Sequence, residues 1–132
     1  MSAWDTILAT LASEFTDASD LEMGTRIALR LALAAILGGM LGYERESHGI
    51  SAGVRTHMLV ALGAALFVVV PDQAGAMEDA MSRVVQGVVA GVGFLCAGTI
   101  LKSDNTTHVR GLTTAAGIWL TAAIGVAAGV GF

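Results

Sequence analysis

The sequence predicts an all-α fold: a polytopic membrane bundle of four transmembrane helices, preceded by a short N-terminal amphipathic helix. Three observations predict it. The chain has 132 residues, of which 55% are apolar and only 14% charged, and its mean hydropathy is +0.72. A soluble domain this small has too little interior to hide so much apolar surface, whereas a bilayer removes that requirement. Four apolar stretches, Met23–Tyr43, Thr56–Val70, Val84–Leu101 and Leu112–Phe132, are separated by short polar segments.

Residues 1–22 form the first unit. Trp4, Ile7, Leu8, Leu11 and Phe15 recur at helical spacing, opposite Asp5, Thr6, Thr10 and Ser13, which predicts a short helix lying on the membrane surface. A frayed terminus is the alternative. The segment carries Asp5, Glu14, Asp17, Asp20 and Glu22 and no Lys or Arg, the reverse of a secretory signal's positive start.

Residues 23–132 form the transmembrane domain, with spans at about 23–43, 53–70, 84–101 and 112–132. Crossing a hydrocarbon core of ~30 Å takes about 20 helical residues, with about 17 as the lower limit. The first and fourth spans meet this fully and the third narrowly. The apolar part of the second, Thr56–Val70, is too short unless Gly53–His57 enters the boundary, carrying Arg55 and His57 with it. A re-entrant segment is the other reading. Pro71 is expected to close this helix, because proline cannot continue a regular one.

Lys and Arg set the orientation. The loops Glu44–Arg55 and Lys102–Gly111 hold Arg45, Arg55, Lys102 and Arg110, against Arg26 and Arg83 on the other side. The excess places both loops in the cytoplasm.

Most of the seventeen glycines fall inside the spans. Gly38 and Gly42 are four apart, as are Gly87 and Gly91, while Gly117, Thr121, Gly125 and Gly129 form a ladder of the same step. Each set makes a smooth strip on one helix face, and in lipid close backbone contact supplies much of helix association. These eight residues are therefore assigned to helix packing, within or between subunits; backbone lining a conduction path is the alternative. The two hairpins also resemble each other, with Gly38 and Gly93 each seventeen residues before the arginine of a Val-Arg pair, Arg55 or Arg110. That is the pattern of a parallel repeat, although membrane composition alone also produces it.

Charges against hydrocarbon are costly, so each is a functional candidate by default. Arg30 is the deepest, and the simplest reading has it snorkelling beside Arg26 or pairing with Asp20 or Glu22. A second cluster gathers Glu44, Arg45, Arg55, Thr56, His57, Arg110, Thr113 and Thr114 at one face of the membrane, with Glu44 expected to pair with Arg55 or Arg110. It serves a substrate or simply locks loops onto the bundle. Catalytic residues, metal ligands and cofactors are not expected. His48, His57 and His108 lack the carboxylate and cysteine company of a zinc site, and no Walker loop or nucleophile elbow occurs. Asp72, Glu78 and Asp79 read as a solvated acidic loop, with weak cation attraction as the alternative. The lone Cys96 excludes an internal disulfide and reads as a small apolar residue. A net charge of −4 with no basic run excludes a nucleic-acid footprint.

Four blocks taken in order resemble the membrane domain of the MgtC/SapB family of bacterial inner-membrane proteins: Gly38-Gly39-Met40-Leu41-Gly42-Tyr43-Glu44-Arg45, Ala52-Gly53-Val54-Arg55-Thr56-His57, Gly91-Val92-Gly93-Phe94-Leu95-Cys96-Ala97-Gly98, and Val109-Arg110-Gly111-Leu112-Thr113-Thr114-Ala115-Ala116. The resemblance covers about residues 27 to 132. It implies an inner-membrane location, cytoplasmic 44–55 and 102–111 loops, and links to low-magnesium growth, virulence and restraint of ATP synthase. It also implies a fifth span and a cytoplasmic domain beyond the part of the family seen in this sequence. The function expected is non-enzymatic modulation of other membrane proteins, such as ATP synthase or transporters, by a homo-oligomer in the bilayer. The alternative is a small transporter or channel for Mg²⁺, H⁺, K⁺ or phosphate.

Overall fold

The computed structural model describes residues 2–15, 19–101 and 109–131. Five helices follow one another: α1 (Ala3–Phe15), α2 (Ser19–Ser47), α3 (Val54–Gln73), α4 (Glu78–Leu101) and α5 (Val109–Val130). The last four each have the length and composition to cross a membrane.

α1 begins with a reciprocal cap. The Asp5 N–H donates to Ser2 Oγ at 3.2 Å, and the Ser2 N–H donates to the Asp5 carboxylate at 3.3 Å, so two otherwise orphaned donors are satisfied. None of its residues is buried; Trp4, Leu8, Leu11 and Phe15 are all exposed.

The spans are longer than their apolar cores. α2 runs past Tyr43 to Ser47, where a left-handed Gly49 (φ 76°) ends it. The Ile50 N–H reaches the Arg45 carbonyl at 3.2 Å and the Gly49 N–H reaches that of Glu46 at 3.0 Å, the paired bonds of a Schellman motif. α3 starts at Val54, with Arg55 and His57 in its first turns. It therefore gains span length in the way the short apolar stretch requires.

Pro71 does not close α3, contrary to expectation. The helix continues to Gln73, because a proline in the last turn removes one N–H without blocking the residues that follow. The stop is Gly75 at φ 88°, whose N–H bonds the Asp72 carbonyl at 3.1 Å while the Ala76 N–H bonds that of Pro71 at 3.0 Å.

α3 packs on both α2 and α5, and α5 on α4, whereas α3 and α4 touch only lightly. Small residues make the close contacts possible. A Cβ at Gly38 would lie 2.7 Å from the His57 carbonyl oxygen, and one at Gly42 would lie 2.7 Å from Val54 Cα. A Cβ at Gly129 would lie 2.8 Å from the Ala65 carbonyl oxygen, and one at Gly125 would collide with that of Ala61. Ala34, Ala61, Ala65 and Ala128 form the core between α2, α3 and α5.

Arg30 corrects another expectation. Its Nη1 donates to Asp72 Oδ2 and to the Gly129 carbonyl, both at 3.1 Å. Glu22, one expected partner, is held by Arg26 at 3.3 Å, and the side chain of Asp20, the other, lies outside the described residues. Arg30 thus ties α2 to α3 while capping the end of α5, where carbonyls lack helical partners. Asp72 accordingly belongs to α3 and an ion pair, and Glu78 and Asp79 open α4, so the three do not make a solvated acidic loop.

Candidate functional site

The polar cluster forms where α2 ends and α3 begins. Six residues, 48 to 53, connect the two helices. Gly53 is the extended residue preceding α3, and its carbonyl receives both the His57 N–H at 3.1 Å and the His57 ring at 2.9 Å. A carbonyl only accepts, so Nδ1 carries the ring proton and Nε2 presents a lone pair in the neutral imidazole.

His57 is 1% exposed, and its Nε2 has no hydrogen-bond partner among the described residues. Arg45 Nε is the other buried side-chain nitrogen without one. Glu44 Oε2 lies 3.3 Å from it, close enough for an ion pair, yet the N–H does not point at the oxygen. His48 Nδ1 lies 3.5 Å from Glu44 Oε1 but only 2.8 Å from the Glu44 carbonyl oxygen, which is its hydrogen-bond partner.

The expected Glu44–Arg55 pair is not formed. Arg55 and Thr56 are exposed in the first turn of α3, whereas His57 turns inward; residues this close in sequence cannot share one face of a helix. Thr113 is exposed and Thr114 buried near the start of α5. Arg110 opens that helix with its side chain outside the described residues, as the 102–108 part of the second loop is, so the Glu44–Arg110 alternative falls there too.

Two residues join the site that sequence reasoning left out of it. Glu46 packs its carboxylate over Gly53, where a Cβ would lie 2.6 Å from Oε1. Gly117, assigned to packing, faces the orphaned nitrogens: a Cβ there would lie 3.7 Å from Arg45 Nε and 3.8 Å from His57 Nε2. Its carbonyl accepts the buried Thr121 hydroxyl at 2.8 Å. Spacing puts Gly117 on the same strip as Gly125, and nothing in the sequence separates their surroundings.

Chemically, a guanidinium N–H and an imidazole lone pair recognise neutral or anionic hydrogen-bonding groups, and a divalent cation gains nothing from the arginine. Among the described residues no three His, Cys, Asp or Glu side chains group as metal ligands. Cys96 is buried and donates its thiol hydrogen to the Ala115 carbonyl at 3.2 Å, linking α4 to α5.

Between α3 and α4 lies a cavity of about 650 Å³, lined by Gly63 and Phe67 of α3 and by Arg83, Gly87, Gly91 and Leu95 of α4, among others. A Cβ at Gly63, Gly87 or Gly91 would meet nothing within 4 Å.

Comparison with known proteins is consistent across the spans. Protein SrpB of Synechococcus elongatus is 50% identical over 116 residues, covering 80% of this chain and 64% of the relative. The "Putative magnesium transporter YhiD" of Escherichia coli is 44% identical, covering 83% of this chain and 53% of the relative. Protein MgtC of Brucella abortus is 46% identical, covering 76% and 41%. The chain thus spans roughly two fifths to two thirds of the length of these relatives. No solved structure matches it. The family model described as the MgtC family matches residues 31–132, from within α2 to the end of α5, and on that match and these identities the chain belongs to the MgtC family of bacterial membrane proteins.

Proposed function

We propose that this chain is a non-enzymatic modulator of other proteins in the bacterial inner membrane, active in magnesium limitation and ion homeostasis, and that α4 is the element holding its partners. The observation that carries this reading is the open glycine face of α4. Gly87 and Gly91 lie one turn apart with no atom within 4 Å of a Cβ position, beside the cavity they share with Gly63. The other glycine strips touch helices of the same chain; this one leaves its backbone accessible from the bilayer. A second helix with small residues gains close backbone packing there, which is what drives association in lipid. Partners of this kind are a second copy of the chain and helices of ATP synthase or of transporters. The name of the Escherichia coli relative supports the link to magnesium. The distribution of Lys and Arg supports a cytoplasmic location for the α2–α3 and α4–α5 connections.

The test is the double substitution Gly87→Leu and Gly91→Leu, with self-association measured in lipid nanodiscs and partner capture measured by crosslinking in membranes. Both are expected to fall while helix content stays unchanged. If both persist, α4 is not the contact surface.

A second reading draws on the buried Arg45–His57 pair: transport of an anion or a proton past the α2–α3 end. Liposome flux of phosphate or H⁺ that collapses in Arg45→Ala and His57→Ala would favour transport over modulation.

A further inference from the structure

Gly117 differs from the glycines that follow it on α5. At Gly125 and Gly129 a Cβ would run into the α3 backbone, but at Gly117 its neighbours within 4 Å are Arg45 Nε at 3.7 Å and His57 Nε2 at 3.8 Å. Those are ordinary contact distances, so an alanine fits and packing alone does not call for glycine. The same two nitrogens are the buried side-chain polar atoms that lack a hydrogen-bond partner among the described residues.

Their roles are complementary. His57 is 1% exposed, and in the neutral imidazole, with Nδ1–H committed to the Gly53 carbonyl, its Nε2 is an acceptor. Arg45 Nε–H is a donor, since arginine has no lone pair to offer. One acceptor from α3 and one donor from α2 therefore border the same space over α5. Arg45 Nε–H has Glu44 Oε2 at ion-pair distance but no hydrogen bond, and burying His57 Nε2 without one is more costly than a typical hydrogen bond is favourable. A ligand satisfying both has to supply an O–H and an oxygen lone pair from one small centre. A metal cation supplies neither, and a fully deprotonated anion serves Arg45 while leaving the His57 lone pair unmet. The Thr121 hydroxyl already occupies the Gly117 carbonyl, so α5 brings a smooth wall and little competition.

We propose that the space over Gly117 is a binding site for a single water molecule, which donates to His57 Nε2 and accepts from Arg45 Nε–H, making a hydrated node that joins α2, α3 and α5. Buried waters take this role where polar groups have no protein partner. This goes beyond the modulator reading and does not depend on it, because the node lies away from the open face of α4.

The experiment uses the full chain, ¹⁵N-histidine-labelled, in lipid nanodiscs and in buffer free of phosphate and bicarbonate. Water-edited solid-state NMR is expected to find His57 protonated at Nδ1, with Nε2 in contact with water. Gly117→Ala should abolish that contact and lower the melting temperature, although glycine to alanine inside a helix otherwise raises stability. Gly24→Ala, on α2 with nothing within 4 Å of its Cβ position, is the control, with the water contact intact and the melting temperature equal or higher. A Gly117→Ala variant that melts higher than the parent, or an Nε2 without water contact, overturns the proposal. So does an Nε2 signal that changes only when inorganic phosphate is added, since a hydrogen-bearing oxyanion would then be the ligand.

Discussion

Alanine at Gly125 and alanine at Gly91 should move stability in opposite directions, although both glycines belong to four-residue strips. At Gly125 the new methyl would collide with the Ala61 carbonyl oxygen, with Ala64 Cβ at 2.9 Å and Ala61 C at 3.0 Å. Two of those three atoms are backbone in the middle of α3 and cannot rotate away, so α5 and α3 must separate. Separation loosens Ala64 against Ala122 and Ala61 against Ala128, contacts that belong to two of the three small cores. Overpacking of this kind costs about 1–3 kcal/mol, while the higher helix propensity of alanine returns up to about 1 kcal/mol. The net expectation is a loss of roughly 1–2 kcal/mol for Gly125→Ala. At Gly91 a Cβ meets nothing within 4 Å, leaving only the propensity gain of up to about 1 kcal/mol. Reversible unfolding of the monomer in detergent micelles, followed by circular dichroism, separates the two. Equal shifts for both variants would refute the assignment of Gly125 to the α3–α5 seam.

Arg30→Met should destabilise more than Asp72→Asn, because it strands both the Asp72 carboxylate and the Gly129 carbonyl. Breaking a fully buried pair costs about 3–5 kcal/mol, but these side chains are 19% and 39% exposed, so solvent screening reduces the expected loss to about 1–2 kcal/mol; a double-mutant cycle in micelles reads the coupling. Gly75→Ala places a side chain at φ 88°, which costs about 1–2 kcal/mol and should lower the melting temperature without altering self-association. Cys96→Ala removes the thiol bond to the Ala115 carbonyl and should cost less than about 1 kcal/mol, measured in the same unfolding assay.

Length and composition made the four spans legible, and the shortness of Thr56–Val70 forecast that Arg55 and His57 would belong to the helix. The local geometry of the ends was less legible. Pro71 looked like a terminator, yet the stop depended on Gly75 adopting a left-handed conformation four residues later. Arg30 found its partner 42 residues away in Asp72, a pairing that fixed helix periodicity cannot reveal because it depends on which helices become neighbours. The sequence grouped the polar cluster at one end of the bundle without ranking its members. Arg55 carried as much weight as Arg45, although one faces outward and the other holds a buried nitrogen over Gly117. Four-residue spacing identifies a face and is silent on what lies opposite it, which is why Gly87, Gly117 and Gly125 looked alike.

The two arginines of α2 show how the ends of one helix divide the work. Arg30 and Arg45 are fifteen residues apart, about 22 Å along the axis, less than the ~30 Å thickness of the hydrocarbon core. Both cannot sit wholly in water while the intervening stretch stays in lipid, so each has to find compensation within the protein or reach the interface. Arg30 finds it in Asp72 and Gly129; two acceptors on two other helices make that end a fixed joint. Arg45 lies beside one carboxylate that its Nε–H does not address, and beside a histidine lone pair that itself lacks a donor. Hydrogen-bonding capacity left over in a buried place has to be met by something other than the described side chains. The end at which α2 turns into α3 is therefore the one able to register a change in its surroundings, and perturbing His57 should alter behaviour where perturbing Arg30 alters only stability.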